Sequence, residues 1–353
     1  LTKTEIENRI KEIQNQLAAM DAMQQSIKIL MNSAYGAFGN QHFRYFDIRI
    51  ASGITTAGQV TIRGVSQYCE SKIPLLSNIY NDTDSIFLAL EPMVKKRFPN
   101  GASIKETADF ILKLSDQVIS PTIEEYFTRL SKNLNMRILT ISLEPECISD
   151  VCFFKAKKKY AMKQTWVEGS WYLDKTKLKI KGIEIVRTST PQFCRDTLKK
   201  AVELIFETQD NQTVVDYIKK VKEEFLQLPF EQKAFPRGVN GIDKHQIGGP
   251  GIPIHVRAAL IYNNAIKSMK LTKKYPLIAE GNKLLFGFIK TPNKLGTEVI
   301  ACPEKMPEEI LSMIEMDDEV QFEKAYLSPI MSIFEAIGWH LEKKQQSLED
   351  FFG

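Results

Sequence analysis

At 353 residues and 43% hydrophobic content, the chain can bury a sizeable core and make more than one domain. No apolar run approaches membrane-spanning length and the first residues do not read as a signal sequence, so no membrane partner is expected and the setting is read as cytoplasmic, that of the host if the source is viral. A net charge of +4 is too mild to draw nucleic acid by bulk attraction, and Cys69, Cys147, Cys152, Cys194 and Cys302 lack C-x-x-C spacing, which argues against structural zinc and for buried thiols in a reducing compartment.

In chain order the first element is a long helix. Thr4 followed by Glu7 offers a capping box. Ile6, Ile10, Ile13, Leu17 and Met20 recur at spacings of four and three, which predicts a buried stripe. Further along, in K-I-L-M-N-S-A-Y-G (Lys28 to Gly36), Lys28, Asn32 and Tyr35 fall in one sector while Ile27, Leu30, Met31 and Ala34 fall opposite. An ammonium on a rigid helix can meet a triphosphate as a point charge, and a flat ring one step on can pack against a base pair. A solvated polar face is the plainer alternative. Gly36 and Gly39 weigh against it, because they allow close backbone approach where the helix should end.

Y-N-D-T-D-S (Tyr80 to Ser85) predicts a hairpin. Ile79-Tyr80 and Ile86-Phe87-Leu88 are strand-like, and Asn81-Asp82 is turn chemistry between them. Residues two apart on a strand point the same way, so Asp82 and Asp84 are expected to present two carboxylates at one sheet edge. Two such ligands are what a pair of Mg²⁺ ions needs; an Asx-turn is the other reading of D-x-D.

A helical stretch follows from a Ser103–Glu106 capping box towards Asn133, with Phe110, Ile111, Leu114 and Val118 as its apolar side. Strand-like runs extend from Met136 to about Arg187, with a turn at Glu168-Gly169-Ser170. Within them Lys155, Lys157, Lys158 and Lys159 crowd before Tyr160, either as a solvated face or as a polyanion contact fixed by its apolar neighbours. Ser189-Thr190-Pro191 predicts a helix start and a domain boundary. Pro229 to Pro253 is rich in Pro and Gly and carries Lys233, Arg237, Lys244 and His245; it reads equally as a surface loop or as a strap over a polyanionic backbone, and Arg257 beyond it suits either role.

K-I-L-M-N-S-A-Y-G, Y-N-D-T-D-S and K-A-K-K-K-Y together resemble the three successive motifs of the B-family DNA-directed DNA polymerases, in particular the replicative enzymes of T-even-like tailed phages. The likeness extends through F-R-Y-F-D-I-R, I-T-T-A-G-Q, L-K-I-K-G-I-E with S-T-P, and the carboxy-terminal S-L-E-D-F-F-G, so it covers essentially the whole chain. It implies an α+β fold, with the carboxy-terminal part of helical fingers (1–40), a palm with an antiparallel sheet (41–188), a mainly helical thumb (189–340) and a clamp-binding tail (341–353). The implied activity is template-directed addition of dNTP to a primer 3′ end by two Mg²⁺ ions.

Carried over position by position, the resemblance gives Lys28, Asp82 and Asp84 catalytic roles. Lys28 would meet the incoming triphosphate, Asn32 and Tyr35 would lie along the nascent base pair, and Gly36 would let the backbone approach the template. Asp84 would be the main metal ligand and Asp82 the weaker one, with Glu146 a third carboxylate near the site. Lys158 would enter the minor groove while Lys157 and Lys159 hold the backbone, with Lys155 and Tyr160 in the same DNA contact. Asn81 stands where the family usually has Gly, and Asn tolerates the left-handed conformation. Gln345, Leu348, Phe351 and Phe352 fit Q-x-x-L-x-x-F-F, which resembles the peptide by which polymerases hold a sliding clamp; two phenylalanines folding back on the body are the alternative.

The family's other essential aspartate sits in a D-x-x-S-L-Y-P-S segment upstream of the opening helix, and neither that segment nor the acidic motifs of the proofreading exonuclease occurs here. The expectation is therefore a polymerase part that needs a separate amino-terminal portion and does not polymerise alone. A catalytically inactive primer-template and sliding-clamp binding module is the second reading. Retention of Lys28, Asp82 and Asp84 together favours the enzyme.

Overall fold

The computed structural model describes residues 2–173 and 177–340. The chain divides into two compact units between Pro145 and Glu146. The secondary structure is mixed, with helices and, among the described residues, three small antiparallel sheets, an α+β composition.

The first unit opens with α1 (Lys3–Phe38), 36 residues long. Thr2, rather than Thr4, caps it. Its side chain accepts from the Glu5 amide, and the Glu5 carboxylate accepts from the Thr2 amide at 2.7 Å. L-T-K-T-E-I-E holds the T-x-x-E pattern in two overlapping registers, and the outer one is used because it adds a further half-turn of helix. The expected stripe is not buried: Ile6, Ile10, Ile13, Leu17 and Met20 are all exposed, as are Ile27, Leu30 and Met31. Periodicity marks a face that suits a partner, but burial requires the partner to be there, and among the described residues no side chain of α1 is buried.

α2 (Ile48–Lys72) is capped by Asp47, whose carboxylate accepts from the Arg49 amide at 2.9 Å and pairs with its guanidinium at 2.7 Å. Val65 and Cys69 of α2 enter a core with Ile73, Leu76, Ile119, Ile123 and Phe127. The antiparallel hairpin of β1 (Ser77–Asp82) and β2 (Ser85–Ala89) packs Ile86 and Leu88 on that core. After α3 (Glu91–Arg97), the Ser103–Glu106 capping box forms as expected and starts α4 (Ile104–Leu114). A π-turn at Ser115–Ile119 then leads into α5 (Ser120–Asn133). It adds a residue to the repeat, so Ser115 and Ile119 take the buried positions and Val118 is exposed. Residues 136–146 form no strand, so the ladder starts at Cys147, eleven residues later than the composition suggests.

In the second unit, β4 (Lys159–Val167) is the central strand of a sheet. It pairs antiparallel with β3 (Cys147–Ala156) on one side, and with β5 (Ser170–Trp171) and β6 (Lys177–Lys181) on the other. Glu168 and Gly169 both have positive φ, 45° and 86°, the geometry a two-residue hairpin requires, which places the expected turn one residue tighter than Glu168-Gly169-Ser170.

Pro191 caps α6 (Gln192–Thr208) from just outside it, and α7 (Asn211–Leu226) follows. Phe153, Ala161 and Ile183 share one core with Leu198 and Val202 of α6 and Ile218 of α7. Sheet and helices on either side of position 188 therefore fold together.

The Pro/Gly-rich segment is more ordered than a loop: it holds α8 (Phe230–Lys233) and β7 (Phe235–Gly238). Lys233 is buried, and its ammonium donates to the Leu226 carbonyl at 2.9 Å and to Asp318 at 2.8 Å. It is committed to an internal ion pair and cannot serve a strap; Lys244 is exposed. Arg237 donates to the Ser189 carbonyl at 3.4 Å. α9 (Ile254–Ser268) packs on β8 (Lys283–Phe288) and β9 (Val299–Cys302), which with β7 form the third sheet; Arg257 of α9 pairs with Glu298. α10 (Glu308–Leu311), α11 (Asp318–Phe322) and α12 (Ser328–Ile337) are the last helices among the described residues, with Ile330 and Phe334 in the core shared by α6 and α7.

Candidate active site

The hairpin tip carries the two aspartates, but not as a pleat would. Asp82 is the last residue of β1 and pairs with Ser85, so the turn is Thr83-Asp84 rather than Asn81-Asp82. Asn81 is an ordinary strand residue opposite Ile86, and its amide lies 3.4 Å from the Ser66 hydroxyl on α2. The left-handed position expected at Asn81 falls at Thr83 instead, with φ of 59°. There the Asp84 amide donates to the Asp82 carbonyl at 2.7 Å, an i to i+2 bond that folds the chain back across a single residue. A positive φ on a β-branched residue is strained. The tip is held by its own contacts, with the Thr83 hydroxyl 3.2 Å from the Asp82 carboxylate and the Ser85 hydroxyl donating to the Asp82 carbonyl at 3.1 Å. Asp82 is half-buried and Asp84 exposed, so both carboxylates come to one tight turn by a backbone reversal rather than by strand alternation.

Lys28, Asn32, Tyr35 and Gly36 are exposed along the last turns of α1, in the same unit as the hairpin. A Cβ built on Gly36 would meet nothing within 4 Å, so the backbone there is open to close approach. Glu146 lies in the second unit, just before β3, where it accepts from the Lys179 ammonium at 2.5 Å. Burial opposes the Lys179 charge, but this bond carries its pKa above the ordinary lysine value. Among the described residues no three His, Cys, Asp or Glu side chains gather to hold a metal.

The lysine cluster occupies the β3–β4 hairpin, with Lys157 and Lys158 forming the turn and Lys158 left-handed at φ of 62°. Lys157 and Lys158 are exposed, Lys155 and Lys159 half-buried, and Tyr160 buried. Lys159 and Lys155 both reach Glu184, at 3.4 Å and 3.8 Å, and Lys155 also donates to the Ser332 hydroxyl on α12. The turn rests on Gly182, where a Cβ would fall 2.0 Å from the Lys158 carbonyl and φ is 65°. Only glycine fits. Sequence reading passed over Glu184, although four lysines on one hairpin need a counter-ion nearby. Gln345, Leu348, Phe351 and Phe352 lie outside the described residues.

Comparison with known proteins decides the family, since the model of DNA polymerase family B matches residues 2–236. The chain belongs to DNA polymerase family B. It is similar to the DNA-directed DNA polymerase of Enterobacteria phage T4, at 28% identity over the whole chain and 41% of that protein. The DNA-directed DNA polymerase of Escherichia phage RB69 is 30% identical over 92% of the chain and 38% of its own length. DNA polymerase II of Escherichia coli is 27% identical over 67% of the chain. The chain thus spans about two fifths of the phage relatives it matches. No helix among the described residues is long and apolar enough to cross a membrane.

Proposed function

We propose that this family B chain is the carboxy-terminal part of a replicative DNA-directed DNA polymerase and works with an amino-terminal portion that supplies the other catalytic aspartate and the exonuclease. The hairpin tip carries this reading. Mg²⁺ is a hard cation bound by one or two carboxylates together with substrate phosphates, and the tip offers two carboxylate side chains on one strained turn beside open solvent. Asp84, with Asp82 as the weaker partner, would hold the ions, and Glu146 is the third carboxylate that the resemblance implies. Two bound Mg²⁺ ions would stabilise charge on the attacking and leaving oxygens during nucleotide transfer.

The chain's own residues orient the substrates. The Lys28 ammonium binds the triphosphate, Asn32 and Tyr35 lie along the nascent base pair, and the open backbone at Gly36 meets the template. Lys157 and Lys158 at the exposed turn hold the primer-template, with Tyr160 anchoring the strand behind them. Residues 1–40 act as part of the fingers, 41–188 as palm and 189–340 as thumb. Gln345, Leu348, Phe351 and Phe352 bind a sliding clamp, and the enzyme works in the cytoplasm, of the host if viral. So many exposed aliphatic side chains on α1 mark an interaction surface.

The test is Asp84→Ala in the complex with that amino-terminal portion. Extension should fall to background while duplex affinity stays within about twofold, because a metal ligand rather than a phosphate contact is removed. Retained turnover would show that the hairpin tip is not the metal site.

A further inference from the structure

The β3–β4 hairpin holds four lysines, yet their surroundings are not equivalent. Lys155 and Lys159 stand at its base, half-buried, and both turn towards one carboxylate. Glu184 Oε1 lies 3.4 Å from the Lys159 ammonium, Oε2 lies 3.8 Å from that of Lys155, and Arg187 reaches Oε1 at 3.9 Å. The Glu184 backbone is fixed by the Thr190 hydroxyl, which donates to its carbonyl at 3.0 Å, and by the turn of 3₁₀ helix it begins. Burial alone would raise the Glu184 pKa, but its own amide, Lys155 and Lys159 together bring it below the ordinary value. Lys157 and Lys158, by contrast, lie at the exposed turn.

We propose that Glu184 is a positioning residue which masks Lys155 and Lys159 as an internal counter-ion, so that the phosphate contacts of the hairpin are confined to its turn. The assignment rests on the polymerase reading and sharpens it. A lysine held by a fixed carboxylate has little charge left to displace counter-ions from DNA, and counter-ion release sets the salt dependence of binding at about 0.9 log-log units per phosphate contact. Confinement to the turn keeps the hairpin from gripping duplex wherever it touches it.

The experiment is a salt series of primer-template binding by the full chain, read by fluorescence anisotropy, with a melting curve for each variant. Glu184→Gln should steepen the log K against log salt slope by about 0.9 to 1.8, as one or two newly neutralised phosphates would, and tighten binding at low salt. Glu184→Asp, which keeps the charge, should return the slope towards that of the parent. In a Lys155→Ala, Lys159→Ala, Arg187→Ala background, Glu184→Gln should add nothing, because every cation paired with that carboxylate has been removed. A slope that is unchanged or shallower in well-folded Glu184→Gln, or a steepening that survives in the triple-alanine background, would overturn the assignment. A parent chain that shows no salt-dependent duplex binding would instead sink the polymerase reading, and this assignment with it.

Discussion

Thr83 sets where the two candidate metal ligands point. With φ of 59° it reverses the chain between Asp82 and Asp84, a conformation that costs a β-branched residue of the order of 1–3 kcal/mol and that glycine adopts freely. Thr83→Gly is therefore expected to leave the melting temperature unchanged or slightly raised, while lowering extension by the assembled polymerase because the carboxylates are less firmly held. A clear drop in melting temperature would show that Thr83 is not strained. The residue types and their order were legible from Y-N-D-T-D-S, but the location of the turn was not. Asn-Asp has stronger turn chemistry than Thr-Asp, and the pairing of Asn81 with Ile86 on a strand packed against the α2 core overrides that local preference.

At the scale of elements, the two hairpins show the same division between local and tertiary information. Both are visible as strand pairs in the sequence, and the Ser103–Glu106 cap and the Glu168-Gly169 turn follow from local chemistry alone. What depends on packing was hidden. The periodicity of α1 could not say whether a partner covers it, and the π-turn after α4 moved burial from Val118 to Ile119 with no signal in the spacing. Glu184 is the same case, because its importance lies in what folds next to it 25 residues after Lys159. Gly182 can be tested directly. Gly182→Ala places a Cβ on the Lys158 carbonyl at a backbone angle that disfavours side chains, and is expected to cost about 1–3 kcal/mol in urea unfolding. It should also weaken duplex binding by displacing the lysine turn. Parent-like stability would mean that the turn does not rest on that glycine.

Across the whole molecule, the cysteines report on the cores. Cys69, Cys194 and Cys302 are buried one to a core, and burial pushes their thiols up to about 11, about 12 and about 12, so at pH 8 they are protonated as well as inaccessible. Cys147 and Cys152 are not buried, contrary to the expectation of five interior thiols. Thiol titration of the native chain at pH 8 should count two reactive cysteines, and five after denaturation; three or more under native conditions would show that a core is open. The central proposal, though, is that the chain, which spans about two fifths of the length of its phage relatives, carries one side of a polymerase site. The most direct measurement is primer extension with Mg²⁺ and dNTP by the purified chain alone, and again after mixing with the amino-terminal portion of the polymerase. The account predicts no extension by the chain alone and template-directed, Mg²⁺-dependent extension by the mixture. Robust extension by the chain alone, or none by a well-folded mixture, would contradict it.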